Sequence, residues 1–219
     1  MTTNNQRLPC ILVTGFGPFP GVAVNVSAEL AHNAAAIGCA RRLDTSFITE
    51  ILATEWARGL ARIDELWATY EPIAALHLGV ASDATGLVIE RAAYNTCSLS
   101  VDASGQFPSD DLHGATTPPV RETTLPLDSL ANALKREAIA CSLSDNPGRY
   151  LCNAVYFRSL GHARMRGVPA LFIHIPAWLV ATQENSPPCE GSLDWASAAR
   201  GIDIAVQALI DHAAEPTCR

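Results

Sequence analysis

The chain has 219 residues and a formal net charge of −7, with 48% hydrophobic and 17% charged residues. This composition is typical of a globular domain with a sizeable core, and the acidic balance argues against a nucleic-acid surface, which needs a basic footprint. The apolar runs have the length of strands and the N-terminal stretch is polar, so we expect neither a membrane span nor a signal peptide.

In chain order, apolar runs of strand length alternate with stretches that have a helical pattern. The predicted elements are a strand at 8–14, a loop at 15–21, helix 27–38, strand 46–53, helix 55–70, strand 73–79, a short element at 87–89, a loop with an edge hairpin at 98–121, helices 127–140 and 150–165, strand 169–175, a loop at 182–191, and a helix from a cap at Ser192 to about His212.

The predicted strands are continuous apolar runs rather than alternating ones. This pattern is typical of a mostly parallel sheet that is covered on both faces. We therefore predict an α/β fold, a single-domain three-layer α/β/α sandwich over residues 10–213, with short tails at 1–9 and 214–219. Functional sites in such sheets lie at the carboxyl ends of the strands.

The seven cysteines include no C-x-x-C pair, and no two histidines lie three or four residues apart. A structural metal site and a disulfide framework are therefore not expected, and a reducing cytoplasm is the default location.

Cys152 is the first candidate for chemistry. It follows a Pro-Gly turn at the start of a predicted helix, where unpaired backbone amides favour a thiolate and can hold an oxyanion. Taken alone, such a cysteine is more often an ordinary buried thiol. Cys189, in a proline-rich loop, is the other exposed candidate.

Two further residues stand at the ends of apolar runs. His174 is either a core histidine or a general base for the thiol, with His77 as its rival in a similar strand. Glu90 is either half of a surface pair with Arg91 or a carboxylate that orients the histidine.

Five motifs, in order along nearly the whole chain, resemble those of the pyroglutamyl peptidase I family, the pyrrolidone-carboxylate peptidases. They are Thr14-Gly-Phe-Gly-Pro-Phe-Pro-Gly21 with Asn25-Val-Ser27, Glu90-Arg-Ala-Ala-Tyr-Asn95, Thr124-Leu-Pro126, Gly148-Arg-Tyr-Leu-Cys-Asn153 and Ile173-His-Ile-Pro176.

The resemblance implies an α/β/α cysteine peptidase that removes N-terminal pyroglutamate from peptides. It implies a triad of Glu90, Cys152 and His174, no metal or organic cofactor, and a homodimer or homotetramer. It also ranks Cys152 above Cys189, and His174 above His77.

The same resemblance predicts a pocket for the flat, uncharged lactam ring. Its expected residues are Phe16, Phe19, Asn25, Val80, Tyr150 and Leu151. An apolar slot would reject an N-terminal proline, because burying an unpaired cation costs more than burying an amide. Arg91 is expected to help backbone amides stabilise the oxyanion.

Two segments depart from the family pattern. Gly79-Val-Ala-Ser-Asp-Ala-Thr85 replaces Gly-Gln-Ala-Gly-Gly-Arg-Thr, and Asn146-Pro-Gly-Arg149 replaces Thr-Ala-Gly-Thr. A divergent member with altered acyl specificity is therefore the alternative, and a catalytically silent relative is another. A phosphate-binding loop at Gly15–Gly21 fits poorly, since prolines at 18 and 20 remove backbone donors.

Overall fold

The computed structural model describes residues 8–109, 114, 117–179 and 193–215. In chain order these form β1 (Cys10–Phe16), α1 (Val26–Arg41), β2 (Ser46–Leu52), α2 (Trp56–Tyr70), β3 (Ala74–Ala81), β4 (Leu87–Glu90), β5 (Ala92–Tyr94), β6 (Val120–Glu122), α3 (Leu127–Arg136), β7 (Cys141–Ser144), α4 (Leu151–Arg166), β8 (Ala170–Pro176) and α5 (Trp195–Ala214).

Six strands form the central sheet, in the order β2-β1-β3-β8-β4-β7. The first four run parallel, β4 runs antiparallel to β8, and β7 runs parallel to β4. The carboxyl ends of β1, β3 and β8 therefore lie at one edge, and β4 and β7 begin at that same edge. Strands β5 and β6 pair separately as a small antiparallel ribbon.

Two apolar clusters cover the two faces of the sheet. One contains side chains of α1, α3 and α5, and the other contains side chains of α2 and α4. Successive residues of a strand point to opposite faces. In β8, Leu171 and Ile173 pack in the first cluster while Phe172 packs in the second, so His174 faces the α4 side. The predicted three-layer, mostly parallel architecture is confirmed.

Short elements account for the differences from the prediction. The helix expected to reach Ala140 ends at Arg136, because Ala138 takes a left-handed φ of 55° and the chain then enters β7. Neither β7 nor β5 was expected, since each is too short to show a clear period. The edge hairpin expected within 98–121 is not seen in the described part of that loop: β6, at its end, pairs instead with β5, which precedes the loop, in a ribbon separate from the central sheet.

The cap of the last helix also differs. Asp194 is the N-cap of α5, and its side chain accepts a hydrogen bond from the Ser197 amide. The predicted cap Ser192 and the loop at 182–191, with Cys189, lie outside the described residues.

Candidate active site

Helix α4 places Cys152 in its first turn. The turn before it contains Gly148 with a φ of +75°, a left-handed conformation that suits glycine. Tyr150 is extended and acts as the N-cap, so α4 begins at Leu151 and the half-buried Cys152 follows directly. The first amides of a helix have no carbonyl partner within it, and they give this end a partial positive charge.

The Cys152 thiol approaches the sheet over a glycine. A Cβ atom on Gly79 of β3 would lie 3.0 Å from the sulfur of Cys152 and 2.8 Å from the Phe172 ring. Gly79 pairs in register with His174 of the neighbouring β8. The glycine therefore provides the space that lets the thiol sit beside the histidine.

Glu90 and His174 form a buried pair on the same side of the sheet. Glu90 Oε1 lies 2.8 Å from His174 Nδ1, and the two side chains are only 2% and 8% exposed. The antiparallel register pairs Val88 with His174, which brings Glu90 within reach on the same face. Since Nδ1 is taken by Glu90, Nε2 is the nitrogen available to Cys152.

These contacts favour the protonated form of His174. Burial by itself lowers the pKa of His174, but hydrogen bonds with the Cys152 side chain and with Glu90 outweigh burial and raise that pKa to about 9. A histidine that is charged at neutral pH stabilises a neighbouring thiolate. The geometry is that of a Glu-His-Cys chain.

His77 has a structural role instead. It is fully buried, with Nδ1 at 2.8 Å from Thr14 Oγ1 and Nε2 at 2.7 Å from Ser159 Oγ. Burial lowers its pKa to about 3, so the ring is neutral at ordinary pH. Both ring nitrogens are used inside the core, which leaves none for a substrate.

The site opens into a cleft of about 850 Å³. Its lining includes the catalytic candidates Glu90, Cys152 and His174. It also includes all six residues predicted for the ring pocket: Phe16, Phe19, Asn25, Val80, Tyr150 and Leu151. Asp83, Ser142 and Asn146 also line it, on the side of β4 and β7.

One end of the cleft is aromatic. Phe16 is 3% exposed at the end of β1, and the Phe19 ring lies 6.5 Å from the Tyr150 ring. Trp56 holds the Tyr150 ring edge-on at 5.2 Å, and the Tyr150 hydroxyl donates to the Val101 carbonyl at 3.1 Å. These contacts fix the wall beside Cys152.

Asn25 shapes the loop rather than offering its amide to the cleft. Its Nδ2 donates to the Gly17 carbonyl at 3.0 Å, and its Oδ1 accepts from the amide and hydroxyl of Ser27. Thr54, which the sequence analysis did not single out, donates to the same Gly17 carbonyl at 2.9 Å. Together they hold the loop that carries Phe19.

Arg91 is not among the residues that line the cleft. Its guanidinium lies 3.5 Å from Asp128 and 3.7 Å from Asp145, in exposed pairs. The expectation that Arg91 assists at the oxyanion is therefore wrong for this geometry. The physical reason is the strand period: Arg91 follows Glu90 directly, so the two side chains point in opposite directions.

Asn153 and Tyr156, which follow Cys152 in α4, have structural roles that were not predicted from the sequence. Asn153 is fully buried; its Nδ2 donates to the carbonyls of Tyr94 and Thr96, both at 2.9 Å, and its Oδ1 accepts from the Tyr94 amide. Tyr156 donates to the Glu90 carbonyl at 3.1 Å. Tyr156 thus ties α4 to the end of β4 at Glu90, and Asn153 ties it to β5.

Asp83 and Arg149 belong to the two segments that depart from the family pattern, and they lie in different surroundings. Asp83 is exposed and lines the cleft, whereas Arg149 stacks on the Tyr94 ring at 4.2 Å and is not part of the lining. Among the described cysteines Cys141 also lines the cleft, and burial raises the pKa of its thiol.

No group of three or more His, Cys, Asp or Glu side chains in the described part of the chain could hold a metal ion. No helix within residues 8–109, 117–179 or 193–215 is long and apolar enough to cross a membrane.

The fold and the site together define an α/β protein with the constellation of a cysteine hydrolase. Comparison with known proteins gives the family. The sequence model of the pyroglutamyl peptidase family matches residues 10–212, and the chain belongs to that family.

Relatives and solved structures agree with this assignment. The pyrrolidone-carboxylate peptidase of Vibrio vulnificus strain CMCP6 is 26% identical, with 92% of each chain covered. That of Pyrococcus furiosus is 28% identical over 76% of this chain and 80% of the relative. A Pyrococcus furiosus pyrrolidone carboxyl peptidase mutant superposes with a TM-score of 0.79 at 24% identity, covering 92% of this chain and 98% of that one.

Proposed function

We propose that this protein is a cysteine peptidase that hydrolyses the bond after an N-terminal pyroglutamyl residue. The observation that carries the proposal is the buried contact of Glu90 with His174, which faces Cys152 in a cleft with an aromatic end. Family membership and the relatives named pyrrolidone-carboxylate peptidase support the choice of substrate.

In the proposed first step, the Cys152 proton resides on Nε2 of His174, and Glu90 stabilises the resulting imidazolium. The thiolate attacks the pyroglutamyl carbonyl, and the oxyanion that forms lies against the backbone amides of the first turn of α4. Nε2 then protonates the departing amine as the carbon–nitrogen bond breaks, leaving a thioester on Cys152.

In the second step, neutral His174 takes a proton from water, and the resulting hydroxide attacks the thioester carbonyl. The thiolate leaves, and free pyroglutamate is released. The same histidine acts first as acid and then as base, which requires the fixed orientation that Glu90 provides through Nδ1.

Substrate selection is assigned to the aromatic end of the cleft. Phe16 and Phe19 offer apolar surface to a flat lactam, whereas the ammonium of an N-terminal proline would lose its hydration there without gaining a counter-ion. Leu151 and Tyr150, beside the nucleophile, form the adjoining wall.

The test is hydrolysis of pyroglutamyl-aminomethylcoumarin and of its prolyl analogue. We expect the wild type to release coumarin only from the pyroglutamyl compound, and Cys152→Ala to release none. Cleavage of the prolyl compound at a similar kcat/KM would contradict the assigned pocket. Full activity in Cys152→Ala would contradict the assigned nucleophile.

An altered acyl specificity is the second candidate function. It is favoured by one observation: Val80, Ser82 and Asp83, which depart from the family pattern, line the cleft. Rapid alkylation of Cys152 in a protein that cleaves no pyroglutamyl substrate would support this candidate, whereas a slowly alkylated Cys152 would indicate a catalytically silent relative.

We further propose that the protein acts in the cytoplasm as a homodimer or homotetramer. A reactive thiol supports a reducing compartment, and the resemblance to the family supports an oligomer. Sedimentation velocity at several protein concentrations tests the assembly: a single monomeric species at micromolar concentration contradicts it.

A further inference from the structure

The cleft extends well beyond the aromatic pocket, onto the α4-facing side of β4 and β7. Here it is lined by Val88, Ser142, Ser144 and Asn146, with Asp83 on the rim. We call these five residues the β4–β7 wing. Ser142 is exposed and Val88 is half-buried, so this part of the sheet is open to the cleft.

Strand order places the wing on the histidine side of the nucleophile. Across the sheet, Phe16 lies on β1, Gly79 lies on β3 beneath the Cys152 side chain, and His174 lies on β8. The strands of the wing, β4 and β7, follow next. From β8 to β7 there are two strand spacings, about 10 Å, which accommodates one long side chain.

The orientation of a bound peptide across the cleft follows from this strand order. The acyl group lies toward the aromatic end, and the departing amine must lie within reach of the proton on Nε2 of His174. The residue that carries the departing amine therefore extends past His174, away from Phe16 and toward β4. A side chain on that residue would face the wing.

The charge of this end of the cleft selects among side chains. Among the described lining residues, Asp83 and Glu90 are acidic and none is a lysine or arginine. Glu90 is already paired with His174, whereas Asp83 is exposed and enters none of the ion pairs described for the chain. The guanidinium of Arg149 donates to Asn146 Oδ1 and stacks on the Tyr94 ring.

The loop that carries Asp83 fixes its position. Residues 82–86 connect β3 to β4, and β8 lies between these two strands, so the loop must cross the carboxyl end of β8. The indole of Trp178, just after β8, donates to the Ala84 carbonyl at 3.2 Å and holds the loop there. Asp83 therefore lies in a loop segment that passes the carboxyl end of β8, the strand that carries His174, and it lines the cleft there.

We propose that the β4–β7 wing binds the side chain of the residue that follows the pyroglutamyl group, and that Asp83 makes this subsite select lysine or arginine. The inference rests on the proposed function and adds to it the class of peptide that is cleaved.

The experiment compares amidated peptides pyroglutamyl-Lys-Ala and pyroglutamyl-Glu-Ala, with pyroglutamamide as a substrate that has no side chain to place. Each exposed charge interaction changes kcat/KM by about 1.5- to 5-fold, so attraction of lysine and repulsion of glutamate together give a Lys/Glu ratio of roughly tenfold. The ratio should fall with added salt.

Three variants and a control locate the effect. Asp83→Asn should bring the Lys/Glu ratio close to one, and Ser142→Asp should raise it. The double variant Asp83→Asn/Ser142→Asp should restore a preference for lysine, because the carboxylate returns to the same cavity. Glu137→Gln removes an equal charge from the exposed end of α3, outside the cleft, and should keep the wild-type ratio.

The outcomes distinguish failure of the subsite from failure of the proposed function. If the wild type cleaves pyroglutamamide, and cleaves the lysine and glutamate peptides with the same kcat/KM as each other, the subsite is overturned while the proposed function stands. The same holds if Glu137→Gln lowers the ratio as much as Asp83→Asn. If the wild type cleaves none of the three compounds, the proposed function fails, and the subsite fails with it.

Discussion

The pair formed by Glu90 and His174 allows a quantitative prediction. In Glu90→Gln the amide oxygen can still accept the hydrogen bond from Nδ1 of His174, so the ring orientation is kept while the negative charge is removed. The variant therefore tests the charge of Glu90 rather than its shape.

The structure sets the size of the effect. The pKa of His174 is about 9 against an ordinary value of 6.5, and this difference corresponds to about 3 kcal/mol in favour of the imidazolium. Cys152 and Glu90 supply the favourable interactions against the cost of burial. We expect Glu90→Gln to lower the pKa of His174 and to reduce kcat by about 10²- to 10⁴-fold.

The pKa of His174 can be measured by NMR titration of its ring proton, and the thiolate by the pH dependence of iodoacetamide alkylation at Cys152. Glu50→Gln is the matched control, since Glu50 pairs with Arg62 at 2.9 Å at the protein surface. An unchanged His174 titration in Glu90→Gln, or an equal loss of kcat in Glu50→Gln, would refute the reasoning.

The same pair makes stability depend on pH. Because the folded-state pKa of His174 lies above its ordinary value, the stabilisation is complete below about pH 6.5 and is lost as pH rises through about 9. The difference in unfolding free energy between wild type and Glu90→Gln should therefore be larger at pH 6 than at pH 9.5. Urea denaturation at both pH values measures it, and a difference that grows with pH would contradict the assignment.

Three further predictions concern the neighbourhood of the site. His77→Ala should destabilise the fold by about 3 kcal/mol, because two buried hydroxyls lose their partner and a cavity remains, yet the pH profile of kcat should not move. Gly79→Ala should lower kcat more than it lowers stability, since the added Cβ displaces the Cys152 sulfur; urea denaturation and coumarin release measured on one preparation distinguish the two losses. In peptide mapping after brief iodoacetamide treatment at pH 6.5, Cys152 should be labelled well before Cys141, the thiol whose pKa burial raises.

Each of these has a contrary result. A shifted pH profile in His77→Ala would place that histidine in the chemistry. Normal kcat in Gly79→Ala would mean that the thiol does not need this space. Faster labelling of Cys141 would move the reactive thiol to β7.

Much of the site was accessible from the chain alone. Glu90, Cys152 and His174 each end an apolar run or start a helix, and their motifs match one family. The strand period carries further information: because neighbouring residues of a strand alternate in direction, Glu90 and Arg91 cannot both face Cys152.

Residue order by itself determined the long elements, because an apolar run of strand length and a stripe of helical period depend on neighbours that are close in the chain. Among the short ones, the sequence indicated an element at 87–89, but only the tertiary structure revealed β5 and β7 and decided the strand directions. Four-residue strands such as Leu87–Glu90 and Cys141–Ser144 have too few positions to show a period, and their direction is set by pairing with β8 and with each other. The tertiary structure also decided between the two histidines, because His77 and His174 lie in similar apolar strands. Only packing shows that His77 is enclosed by Thr14 and Ser159, whereas His174 faces Glu90 and the Cys152 thiol.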